Sequence, residues 1–191
     1  MNDKIFSDRR QALEEDYFNK LEREKIEKFR AKELIQKESD KIRSISGITN
    51  DKLIHKMMEM GITSEIWSLM SLVPLVEVAW ASGTVETAER EILLQVAREN
   101  GLQQDTAAYD MLSQWVREKP DHRWLSTWKE YIQEMVSSIN GDEVGRLKSA
   151  LLSTARKIAQ ADGGFLGLGS KIADNEKQVL RDLESLFSES K

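Results

Sequence analysis

Cysteine is absent from the 191 residues, which removes disulfides, thiol catalysis and thiolate metal ligation together. Histidine occurs only as His55 and His122, too distant in sequence for a histidine-rich zinc or iron centre. Proline is nearly missing too, with Pro74 and Pro120 alone to interrupt helices. No apolar run has membrane length. The longest, residues 66–83, contains Pro74 and Glu77 and is shorter than the roughly 20 residues that span a bilayer. The opening MNDKIFSDRRQALEED lacks the apolar centre of a signal peptide, which predicts a cytoplasmic chain. Alternating, β-branched segments bounded by turn signals are also lacking, and an all-α fold is what remains.

What the chain has in excess is charge. Charged residues make up 32% of it and the net charge is -5, an acidic balance that opposes broad binding to nucleic acid or anionic lipid. The charge concentrates between Asp8 and Lys41, where apolar residues appear only at sparse helical spacings: Leu13, Tyr17, Leu21, Ile26, Phe29 and Leu34. Acid-first pairs four apart, Asp16 with Lys20, Glu24 with Lys28 and Glu33 with Lys37, support an exposed helix. Its apolar stripe is too irregular for a sustained heptad seam. Ser46-Gly47 forms a hinge after it, so residues 1–46 read as a charged helix and residues 47–191 as a helical bundle. The helix is a natural tether for a protein partner or for self-association.

The bundle is punctuated by helix signals. Thr49 or Asn50 caps a short helix ending at Gly61, and Thr63 or Ser64 caps the next, which bends or restarts near Pro74. Gly101 and Gly141 read as left-handed helix stops. Pro120 separates a helix over 109–118 from one over 123–139, and two more follow at about 143–161 and 174–187.

Two segments match side by side, VAWASGTVETAEREIL from Val78 and IAQADG with KIADNEKQVL from Ile158. Val78 falls on Ile158, Ala81 on Ala161, Gly83 on Gly163, Glu89 on Glu176 and Leu93 on Leu180. The second copy carries seven extra residues, 164–170. At these residues, over roughly 66–187, the chain resembles the TerB-like family of tellurite-resistance-associated helical domains, whose signature is a helix ending in A-D-G followed by a hydrophobic residue and a Glu opening the next helix. The resemblance implies a small bacterial all-helical bundle with pseudo-twofold symmetry, cytoplasmic, tied to stress responses and without catalytic activity. Ser82 departs from the motif Asp, and Glu86 stands where a capping Asp or Ser is usual.

The seven-residue insertion belongs to ADGGFLGLGSK, residues 161–171, which superficially suggests a phosphate loop. A phosphate loop needs Lys before Ser or Thr and a strand before the glycines. Here Ser170-Lys171 is reversed and a helix precedes, delivering the negative end of its dipole. The glycines instead allow left-handed positions that fold Phe165, Leu166 and Leu168 back on the bundle.

Asp162, Asp174 and Glu176 could converge at this turn as a hard-cation site for Ca2+ or Mg2+, with Glu86 and Glu89 as weaker first-copy equivalents. Turn and capping roles account for the same residues without an ion. Five tryptophans are many for this length. Trp124 and Trp128, four apart on one helical face, either fill the space between helices or line a groove for a partner peptide, and burial separates the two. No nucleophile elbow or zincin signature appears, so a binding protein is expected rather than an enzyme.

Overall fold

The computed structural model describes residues 2–161 and 172–188, with side chains from residue 16 onward. It is all-helical among the described residues and divides into two compact units, residues 1–41 and 42–191.

The first unit holds one element, most of α1 (Asn2–Ser46). Local pairs run along it, Lys37 with Glu33 at 2.8 Å and Gln36 with Asp40 at 3.0 Å. With no second element in this unit, its large apolar side chains stay in water, among them Phe18 at 66% and Phe29 at 70% exposure.

The last turn of α1 belongs to the second unit. Ile42 is fully buried in its core, and Arg43 pairs with Asp51 and donates to the Thr49 carbonyl. The units therefore divide ahead of the Ser46-Gly47 hinge, because the core claims Ile42. Gly47, at φ +72, then ends the helix in the left-handed region open to glycine.

Asn50 caps α2 (Asp51–Glu59), its side-chain oxygen accepting from the Lys52 and Leu53 N–H groups. Glu134 accepts from the Thr49 and Asn50 N–H groups, both at 3.0 Å, and Lys56 meets Glu130 at 2.6 Å. These polar ties fasten α2 to α6 (Arg123–Ser138).

A 3-10 turn (Trp67–Ser71) precedes α3 (Val73–Ala79). Pro74 sits in the first turn of α3, where a missing N–H costs nothing. The chain therefore restarts at this proline instead of bending through it. Val73 to Val76, Val78 and Ala79 are all buried; Glu77 alone turns outward, to Lys119 at 2.9 Å, and a helix apolar on its remaining sides must be enclosed there. Accordingly α3 packs against α6, α4 (Thr87–Glu99), α7 (Gly141–Ala159) and α8 (Asp174–Ser185).

The contacts are reciprocal: α3 meets α7, while α3 also meets α8 and α7 also meets α4. A two-fold relating α3–α4 to α7–α8 would generate this pattern. At the far end of α3, Trp80 donates its indole N–H to the Trp115 carbonyl at 2.8 Å, joining it to α5 (Ala107–Trp115).

One glycine departs from its expected role. Gly101 is left-handed at φ +83, as a helix stop should be, but Gly141 opens α7. The local signal is Asn140 with Glu143, whose side chains and N–H groups bond reciprocally at 3.0 and 3.1 Å. Such a capping box starts a helix.

A candidate docking cleft

Tryptophans 124 and 128 are buried, at 9% and 2% exposure. Trp124 packs edge-to-face on Trp115, ring centroids 4.7 Å apart. Burial assigns both rings to packing between helices and removes the exposed aromatic pair that a peptide groove built on them would need.

Trp128 nevertheless forms the floor of an apolar cleft of about 550 Å³. Its inner surface is Met70, Leu75, Trp128 and Ile132, all buried. Its walls are half-buried side chains from α6, Tyr131 and Met135, and from α7, Leu147 and Leu151, with Trp67 and Val96 closing two further sides. Leu147 and Leu151 lie four apart on α7, Tyr131 and Met135 four apart on α6, so each wall is a helical ridge. Ser68, Ser71, Glu99, Asn100, Thr154 and Lys157 supply the polar remainder.

The ridge on α6 is internally braced. The Tyr131 ring meets Trp67 edge-to-face at 5.3 Å, and its hydroxyl lies 3.4 Å from the Met135 sulfur. Burial raises the Tyr131 phenol above its ordinary pKa, so at neutral pH it presents a neutral O–H. Ser71 donates to the Ser68 carbonyl at 2.9 Å, and neither His55 nor His122 lines the cleft. The chemistry on offer is apolar contact with a few hydrogen bonds.

The acidic residues fall elsewhere. Asp162 and the glycine-rich insertion lie outside the described residues. Asp174 is exposed and bonded to Lys177 at 2.8 Å, and that lysine holds its carboxyl below the ordinary carboxylate range. Glu176 is buried and accepts from the Ala173 N–H at 2.6 Å. The two carboxylates thus have different tasks, one a surface ion pair and the other a helix-start acceptor.

The first copy repeats the second task. Glu89 is 1% exposed and accepts from the Glu86 N–H at 2.8 Å, while exposed Glu86 accepts from the Thr84 hydroxyl at 3.2 Å. Glu89 and Glu176 therefore do the same work at the third position of α4 and α8, satisfying an N–H that the helix itself cannot. Among the described residues no group of three His, Asp or Glu side chains is placed to hold a metal ion. Glu89→Ala and Glu176→Ala are each expected to lower stability by about 1–3 kcal/mol, since a helix start loses its acceptor. Urea unfolding of each variant measures it.

Sequence reasoning missed the cleft. Its one legible trace is α7, where Leu147 and Leu151 widen the apolar face beyond the fully buried Leu152, Ala155 and Ile158. No helix among the described residues is long and apolar enough to cross a membrane. No protein-family model matches the chain, and no curated protein and no solved structure matches it either.

Proposed function

We propose that the chain is a non-enzymatic interaction module, TerB-like in kind and acting in the cytoplasm, that receives the apolar face of an amphipathic helix from a partner protein. The cleft between the α6 and α7 ridges carries this reading. A groove walled by two helices accepts a third helix by its i, i+3 or i+4 side chains. Met70 and Met135 give the lining adaptable surface. Lys157 and Glu99 at the rim favour a partner helix that carries charges of both signs beside its apolar anchors. The A-D-G and A-S-G sequences, with Glu89 and Glu176 in matching positions, support the TerB-like assignment, and with it a role in bacterial stress or tellurite resistance.

The test is photo-crosslinking in cells from a benzoyl-phenylalanine placed at Thr154, comparing the full chain with its Leu151→Glu variant. The expected result is a cross-link to one protein, mapped to a segment with apolar residues at helical spacing and lost in Leu151→Glu. Leu151 is only half-buried, so this variant should keep the helical circular-dichroism spectrum and melt within about 1–2 kcal/mol of the parent. Cross-links scattered over many proteins, or to lipid or a small molecule alone, would overturn the reading.

A further inference from the structure

The two exposed phenylalanines of α1 share one helical face with a pair of opposite charges. Phe18, Glu22, Lys25 and Phe29 are spaced four, three and four apart, so at 3.6 residues per turn they share one face. Leu21 and Ile26 flank that face on either side. Phe18 and Phe29 are the two most exposed phenylalanines among the described residues, and Ile26 is 46% exposed. Among the described residues of the first unit no second element is present to cover them.

The four residues are also arranged symmetrically. Read outward from the bond between Arg23 and Glu24, Glu22 mirrors Lys25 and Phe18 mirrors Phe29. We propose that α1 pairs with the α1 of a second copy, antiparallel, about a two-fold axis passing between Arg23 and Glu24. In that register each Phe18 stacks on Phe29 of the second copy, and each Glu22 meets Lys25 of the second copy. Two aromatic layers enclose two opposite-charge layers.

Charge selects this direction over the other. A parallel, in-register pair would set Glu22 on Glu22 and Lys25 on Lys25, a like-charge layer at both central positions. An antiparallel pair turns both repulsions into attractions. Edge-to-face or offset phenylalanine pairs supply the apolar area. The seam from 18 to 29 is only about 16 Å long, so the dimer is weak and concentration-dependent. It uses no cleft residue, and its failure would leave the cleft reading untouched.

The chain has no cysteine, which makes cysteine cross-linking site-specific. Phe18→Cys and Phe29→Cys are prepared as separate full-length proteins and treated, alone and mixed, with a bismaleimide too short to bridge about 16 Å. In the antiparallel register the cysteines of a mixed pair face each other and one of the two aromatic layers survives. Copies of the same variant place their cysteines about 16 Å apart along the axis. The expected result is cross-linked dimer in the mixture and little in either variant alone.

Self-linking of Phe18→Cys alone would overturn the proposal in favour of a parallel pair. A mixture that links no better than an Arg30→Cys control would overturn it in favour of a lone helix. Light scattering over a concentration series gives an independent reading without cysteines. Glu22→Lys should weaken the dimer about tenfold, and Glu22→Lys with Lys25→Glu should restore it; a double variant as weak as the single one would also overturn it.

Discussion

Trp128→Ala is expected to lower the stability of the bundle by about 3–5 kcal/mol, a large share of the about 5–15 kcal/mol that holds a domain folded. The side chain is almost wholly enclosed and forms the floor on which the cleft rests. Truncation removes a large apolar surface from the interior and leaves a void that the rigid α6 and α7 backbones cannot close. Trp128→Phe keeps a ring in place and should lose less than half as much. Chemical denaturation with tryptophan fluorescence from the remaining four indoles measures both. An Ala variant as stable as the parent would mean that the cleft floor is not part of the core.

The second large effect separates two truncations only five residues apart. Removing residues 1–41 is expected to leave the bundle folded, with its unfolding free energy within about 1 kcal/mol of the full chain. Removing residues 1–46 should cost about 2–5 kcal/mol more, because it deletes the fully buried Ile42. The same cut also removes Arg43 and its links to Thr49 and Asp51, exposed contacts that contribute far less. Thermal melts of the two truncated proteins side by side decide it. Equal melting temperatures would place the structural boundary at the Gly47 hinge after all.

Much of the bundle was legible because its helix starts and stops are local. The Asn50 cap, the left-handed Gly47 and Gly101, and Pro74 in a first turn are each fixed by the residue itself and its nearest neighbours. Gly141 was misread because glycine favours helix ends on average, whereas the competing signal, Asn140 with Glu143, lies across the boundary. The charged helix ends at Ser46, where the Gly47 signal places it, but the compact unit begins earlier, at Ile42, for a related reason. Ile42 looks like one more apolar residue on a charged helix until the core that encloses it exists.

The candidate site was the least legible part. Trp67, Val96, Tyr131 and Leu147 come from four elements, and no spacing within one element announces that they meet. The carboxylates had the opposite difficulty. Glu176 and Asp174 were conspicuous in the sequence, yet a helix start accounts for one and a lysine one turn on for the other. Trp124 and Trp128 shared a helical face as the spacing required, but a shared face says nothing about whether it looks inward. Tertiary packing decides that, and here it turned both rings into the bundle.

The enclosure of α3 has a consequence for how the protein is made. This helix is apolar except at Glu77, yet α6, α7 and α8, which cover it, are encoded far downstream. On the ribosome, roughly a hundred more residues must be added before α8 is complete, a delay of about 5–20 s at ordinary synthesis rates. Until α6 follows, midway through that interval, α3 has no native partner beyond α4 and the preceding turn, and its valines and Leu75 are open to chaperones or to other nascent chains. Slowing elongation after codon 79 should therefore increase aggregation of newly made chains without altering the stability of the finished one.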